Sequence, residues 1–302
     1  MLQVARLAPQ SLGESRDLVA AFLRGCLNPD GGFRNRAGTS DLYYTVFGLD
    51  GLVALQEPLP SEPVAAYLRQ FGDGEGLDFV HLACLARCWA ALSQDPASER
   101  GVAQAFRPAN PDGIAEHLES YRSADGGYAQ TPGVGDGSVY ASFLAFGAYQ
   151  DLRLSMPEPP RLLASIAKQQ TSDGAFSNRP GEGSGLTAPT AAAVLLLRHL
   201  EGPTDRHLGL WLLDRCHASG GFLASPHAPV PDLLSTAIAL HALAALHVPL
   251  GGVSGACLDF VDSLWTNRGG FYGTWADEEI DCEYTYYALL ALGHLTLASR
   301  PT

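Results

Sequence analysis

One short string is written several times along this chain: Gly31-Gly32-Phe33, Gly126-Gly127-Tyr128, Gly174-Ala175-Phe176, Gly220-Gly221-Phe222 and Gly269-Gly270-Phe271, with a worn copy at Gly74-Glu75-Gly76-Leu77. The aromatic or Leu77 position advances by 44, 51, 48, 46 and 49 residues. A period of this length marks an array of like units, none of which can bury its apolar face alone.

Each unit has one internal order. An amphipathic stretch such as residues 161–170 comes first, with apolar residues at helical spacing. The Gly-Gly-aromatic turn follows, then a polar loop, then a second helix that is apolar nearly all round, as in residues 190–197, 235–246 and 284–295. A helix apolar on every side must be covered on every side. The second helix of each pair is therefore expected inside and the first outside. An open solenoid would leave the inner helices wet, so the array is expected to close. The reading is an all-α chain, a single α/α-toroid domain over 1–302, built from a double ring of about six helical hairpins around a central cavity. The repeats run approximately 17–56, 62–94, 112–152, 159–200, 206–247 and 256–297.

Composition agrees. Of 302 residues 46% are hydrophobic and 17% charged, against about 25% charged in ordinary globular chains, as suits a ring of fully buried helices. The formal charge of −13, with no basic run, excludes nucleic-acid binding through a basic footprint. Residues 233–258 carry no Asp, Glu, Lys or Arg, yet His241, His247, Pro249 and Gly251 interrupt them. They read as a buried helix, and no membrane span is expected. Residues 1–16 lack an apolar signal core, and the six cysteines form no disulfide framework, which points to a reduced, cytoplasmic protein.

The start of the inner helix also repeats. Asp41-Leu-Tyr-Tyr-Thr45, Asp232-Leu-Leu-Ser-Thr236 and Asp281-Cys-Glu-Tyr-Thr285 share Asp-x-x-x-Thr, and Asp136-Gly-Ser-Val-Tyr140 keeps the Asp. Such an Asp is first an N-cap. In a closed array all these starts converge on one end, at the mouth of the cavity.

With the repeats laid out, the chain resembles the prenyltransferase β-subunit and squalene–hopene cyclase superfamily over nearly its whole length. The strings that carry the resemblance are residues 31–45, residues 173–181 (Asp-Gly-Ala-Phe-Ser-Asn-Arg-Pro-Gly) and residues 281–293. It implies an aromatic-lined cavity that holds an isoprenoid or another apolar small molecule, and it raises an α-subunit-like helical partner. It does not fix the activity. In protein prenyltransferases zinc is held by Asp-x-Cys at one inner-helix start and a His before Thr at the next. Here Asp232 keeps its place, but Leu234 and Tyr284 stand at the other two. Gly185 falls where a further family His would be, and residues 225–231 hold no Arg or Lys for a diphosphate. The usual zinc-dependent transfer is therefore not expected, and no cofactor is assigned. A zinc set with shifted ligands, Asp232, Asp281, Cys282 and His227, and an Mg²⁺ site on Asp277-Glu278-Glu279-Ile280-Asp281 are chemically sensible but disfavoured.

The related cyclases protonate an alkene with the middle acid of Asp-x-Asp-Asp-Thr. The fifth copy lacks that acid, and the sixth places Glu283 there. Asp232, Asp281 and Glu283 are thus the candidate catalytic carboxylates, set against a plain solvated loop end. Tyr43, Tyr44, Phe47, Tyr140, Phe143, Tyr284 and Tyr287 are the candidate substrate-binding aromatics, because their π faces suit a polyisoprenoid and its carbocations. The rival reading is a non-catalytic relative that binds a lipid, a peptide or a helical partner.

Overall fold

The computed structural model describes residues 1–93 and 106–298. After α1 (Leu2–Ala5) and α2 (Ala8–Leu12) come six pairs: α3 (Arg16–Gly25) with α4 (Leu42–Ala54), α5 (Ser61–Arg69) with α6 (Phe79–Ser93), α7 (Pro111–Glu119) with α8 (Val139–Leu152), α9 (Pro159–Lys168) with α10 (Thr187–His199), α11 (Arg206–Leu213) with α12 (Leu233–Ala245), and α13 (Val253–Ser263) with α14 (Cys282–Ala298). The even-numbered helices α4 to α14 pack each on the next, and α14 packs back on α4. The array closes. The odd-numbered helices α3 to α13 lie outside this ring. They are amphipathic: α9, for example, buries Leu162, Ser165 and Ile166 while Arg161 and Lys168 face solvent. Among the described residues no helix is long and apolar enough to cross a membrane.

The repeated turn has a physical reason at each position. Gly31 sits at φ +94°, and a Cβ there would lie 2.0 Å from the Pro63 carbonyl oxygen at the head of the next outer helix. Gly220 repeats this at φ +82°, 1.8 Å from the carbonyl of Ala256. Only glycine meets both demands. The aromatic that follows is buried in every intact copy: Phe33, Tyr128, Phe176, Phe222 and Phe271.

The Asp-x-x-x-Thr string is a staple between this turn and the inner helix. The N–H of Phe33 donates to Thr45 Oγ1 at 3.0 Å, that of Phe222 to Thr236 at 2.9 Å and that of Phe271 to Thr285 at 3.3 Å. Thr190 and Ser142 do the same for Phe176 and Tyr128. The hydroxyls of Thr45, Thr236 and Thr285 donate onward to the carbonyls of Asp41, Asp232 and Asp281, each at 2.7 Å. One expectation changes: in the third copy Ser138, not Asp136, caps the helix by accepting from Ala141 N, and Asp136 is exposed.

All six inner helices start at the mouth. The opposite end is covered by the N-terminal segment, since α1 packs on α14 and α4, and α2 on α14. Gly293 lets the Val4 carbonyl come so near that a Cβ there would stand 2.2 Å from it. The amino group of Met1 is buried at this end, beside Arg87 and Asp50.

Candidate functional site

Counting from the residue that starts each inner helix, side chains two and six positions on share a face, because four residues make about one turn. Those positions are Tyr43 and Phe47 on α4, Tyr140 and Leu144 on α8, Leu234 and Ile238 on α12, and Glu283 and Tyr287 on α14. Tyr43, Tyr140, Leu144, Leu234, Ile238 and Tyr287 all keep accessible surface inside the ring, while their helix neighbours Leu42, Val139, Leu233 and Ala288 keep none or next to none. That pattern is a cavity along the toroid axis.

Near the mouth the wall is aromatic. Phe47 packs edge-on to Tyr43 with ring centroids 4.9 Å apart, and lies 5.4 Å from Tyr287 and 5.9 Å from Tyr286. Burial pushes the phenols of Tyr43, Tyr140 and Tyr287 upward, so all three stay neutral. Phe143 is half-buried on the neighbouring face of α8. Glu283 sits within this wall, 9% exposed, and accepts a hydrogen bond from Tyr43 Oη at 2.6 Å. Burial is the main cause that lifts its carboxyl to about 7. The charge of Asp281 adds to the rise, while the Tyr43 bond and Arg36 oppose it. A carboxyl in this state is protonated for much of the time near neutrality and faces apolar, polarizable surface.

The other two candidate acids have different surroundings. Asp281, 5% exposed, caps α14 by accepting from Tyr284 N at 2.9 Å and pairs with Arg36 Nε at 2.8 Å. It is an ion-paired neighbour of Glu283. Asp232 caps α12, accepting from Ser235 N at 2.6 Å, and burial raises its carboxyl. Tyr44 and Tyr284 lie on the rim with Arg36, whose guanidinium stands 5.5 Å from the Tyr284 ring centroid.

Arg36 is the functional neighbour that the sequence hid. It lies 245 residues from its partner, in a loop that reads as ordinary polar linker. With Arg34 and Arg268 it lines a surface cleft of about 280 Å³ beside the mouth, together with Glu278 and Glu279. The acidic run at 277–283 is thus met by arginines from the first and sixth copies. His81 is a second addition: it stands 2.9 Å from Asp78 and 3.7 Å from Asp41, and these carboxylates hold it up at about 9, a cation at the edge of the mouth.

The shifted metal sets do not assemble. Cys282 is fully buried and interacts with Cys26 of the outer ring, whereas His227 is exposed. Asp277 is occupied with the backbone N–H groups of Gly273 and Thr274, and Glu278 and Glu279 are exposed. Among the described residues no three His, Cys, Asp or Glu side chains converge as a metal site.

No curated protein sequence matches the chain. Solved structures share the fold at low identity. The type II terpene cyclase MstE from Scytonema, in complex with geranylgeranyl dihydroxybenzoate, superposes with a TM-score of 0.61 at 15% identity, covering 96% of this chain and 98% of the cyclase chain. Candida albicans protein geranylgeranyltransferase-I, complexed with GGPP, gives a TM-score of 0.64 at 15% identity, covering 93% and 90%. An α-1,6-mannanase from Salegentibacter gives 0.59 at 12% identity, covering 95% and 100%, so the same architecture also carries sugar chemistry. The family model described as the prenyltransferase alpha-alpha toroid domain matches residues 9–86, 70–222 and 190–299. With the closed double ring and its repeated turn in view, the chain belongs to the prenyltransferase α/α-toroid family.

Proposed function

We propose that this protein binds an isoprenoid chain in its axial cavity and uses Glu283 as a general acid toward an alkene, as an acid-initiated cyclase or isomerase. The observation that carries the reading is Glu283 itself, a carboxyl raised to about 7, held by Tyr43 Oη at 2.6 Å and walled by aromatic rings. The Tyr43 hydroxyl donates to one carboxyl oxygen and so strengthens the acid at the other. The acid O–H bond breaks as the alkene π pair takes the proton, leaving a carbocation at the more substituted carbon. A second alkene then closes a C–C bond onto that cation, and loss of a proton from carbon ends the reaction as a net isomerisation. The π faces of Tyr43, Phe47 and Tyr287 are placed to stabilise the positive charge, and the dry wall protects it from water.

Leu234 and Tyr284, at the positions where the resemblance calls for zinc ligands, support a reading without zinc-dependent transfer. The same two residues favour the second reading, a toroid that binds an apolar ligand without acting on it. One experiment separates the two. The protein is incubated in D₂O with geranylgeranyl compounds, and products are followed by mass spectrometry. The acid reading requires an isomeric product carrying one deuterium on carbon, with formation reduced about 10²-fold or more in Glu283→Gln. Substrate that binds and is recovered unlabelled would leave the binding reading in its place.

A further inference from the structure

Below the aromatic wall the inner ring carries polar side chains that the proton-donor reading does not use. Arg87 on α6 donates from Nε and Nη2 to Asp50 Oδ2 on α4, at 3.2 and 3.0 Å, and from Nη1 to Asp151 on α8 at 3.2 Å. Asp50 follows the cap Asp41 by nine residues, which puts it about 13 Å below the mouth. His241 and His294 face the same end from α12 and α14, 2.9 Å apart; burial lowers them to about 3 and about 4, so both are neutral.

Three observations make this floor a place for a ligand. Asp50 is 3% exposed, and its Oδ1 has no hydrogen-bond partner. Tyr286 is 2% exposed and near enough to Asp50 and Arg87 to feel both charges, yet its hydroxyl is also unpartnered. Buried acceptors and donors are rarely left in this state without a bound group to serve them. Lastly, open space adjoins the floor on the side of Arg87 and Asp151. Gly147 lies one turn from Asp151 on the same face of α8, and a Cβ added there would meet no atom within 4 Å. Arg87, although flanked by two helices of the ring, keeps 29% of its side-chain surface accessible.

We propose that this floor is a subsite for the neutral hydroxyl head of an isoprenoid alcohol or phenol, which donates to Asp50 Oδ1 and accepts from the Tyr286 hydroxyl. The inference rests on the isoprenoid reading of the cavity and names the substrate class within it. A diphosphate head is poorly served here, because Asp50 and Asp151 already face the two cationic groups at this end, Arg87 and the Met1 amino group, and occupy the guanidinium's Nε, Nη1 and Nη2 donors. The head lies at the floor and the distal alkene at Glu283, so proton donation begins at the end of the chain remote from the hydroxyl.

The test is calorimetric titration of the full chain with geranylgeraniol, its methyl ether and geranylgeranyl diphosphate. The ether keeps the acceptor and loses the donor. The alcohol is expected to bind about tenfold more tightly than either of the others, since a site built to pair a hydroxyl rejects an analogue without it. Asp50→Asn is expected to erase the preference for alcohol over ether, whereas Tyr286→Phe, which removes the donor that both head oxygens accept from, is expected to weaken alcohol and ether alike by roughly five- to tenfold. Tyr286→Phe removes a hydroxyl with no partner in the protein, so it leaves the fold intact even if Asp50→Asn does not. Equal binding of alcohol and ether, tighter binding of the diphosphate, or alcohol and ether affinities that Tyr286→Phe leaves untouched overturns the proposal. Failure of all three compounds to bind overturns it along with the isoprenoid reading. Glu283→Gln should keep the alcohol preference, so a protein that discriminates heads but transfers no deuterium refutes the acid and leaves the floor standing.

Discussion

At the scale of the residue, the physics of the mouth is concentrated in one carboxyl. Glu283 loses water on burial and gains only one hydrogen bond in return, so its neutral form is favoured and the pKa rises from the ordinary 4.5 to about 7. Between those values the folded state holds the proton and the unfolded chain does not, so folding is favoured at the acid end of that window. Stability contributed here is fully present below about 4.5 and is lost as pH rises through 7. Glu283→Gln removes the titration and keeps the shape. The wild type is expected to lose on the order of 2–3 kcal/mol relative to Glu283→Gln between pH 4.5 and 8. Thermal unfolding at closely spaced pH values checks this, and parallel curves for the two proteins would show that Glu283 is an ordinary carboxylate. The position of this carboxyl was legible once the sixth repeat was set beside the cyclase motif, since it stands two residues after Asp281. Its surroundings were not. Tyr43 reaches it from 240 residues away and Arg36 reaches its neighbour Asp281 from 245 residues away, through ring closure, and no local pattern marks them as neighbours.

At the scale of the element, the repeat explains itself through the staple. Aspartate caps the inner helix, and threonine one turn on ties the cap carbonyl to the N–H of the buried aromatic, so a turn and a helix are locked at a fixed angle. The sequence displayed this as Asp-x-x-x-Thr, and the capping half was readable from residue type. The threonine half was not, because its partner lies fourteen residues back in copies three to six, beyond helical spacing. Where the cap moves to Ser138, the staple passes to Ser142, so each of the five copies with an intact turn keeps a hydroxyl at this place, while the worn second copy has Leu82 there. Thr236 is fully buried, so Thr236→Val leaves the Phe222 N–H unpaired inside the core. That substitution is expected to cost about 1–3 kcal/mol in denaturant unfolding, whereas Thr236→Ser should cost well under half as much. Equal losses would mean that the methyl group, and not the hydroxyl, supports the joint.

At the scale of the molecule, closure decides what the ring can hold. Six inner helices whose last member packs on the first enclose an axis, and among the described residues the short N-terminal helices pack over its far end, on α14 and α4. Sequence reading placed residues 1–16 outside the repeats but gave them no task, since four- and five-residue helices carry no periodicity to read. Their seat is steric: the Val4 carbonyl and the Ala5 backbone rest on the bare face of Gly293, midway down α14. An alanine there would bring its Cβ within 2.2 Å of the Val4 oxygen and 3.1 Å of Ala5 Cα, both backbone atoms that cannot swing aside. In the isolated helix the same change would be favourable, because alanine exceeds glycine in helix propensity by about 1 kcal/mol. The two effects therefore predict opposite signs, and contact decides. Gly293→Ala is expected to lift the N-terminal segment off the ring, with a net loss of about 1–3 kcal/mol from overpacking and much faster proteolysis within residues 1–12, while helical content from circular dichroism stays near wild type. A variant that is more stable than wild type and equally resistant to protease would show that α1 does not close this end, and the polar floor around Asp50 and Arg87 would then open to solvent from below.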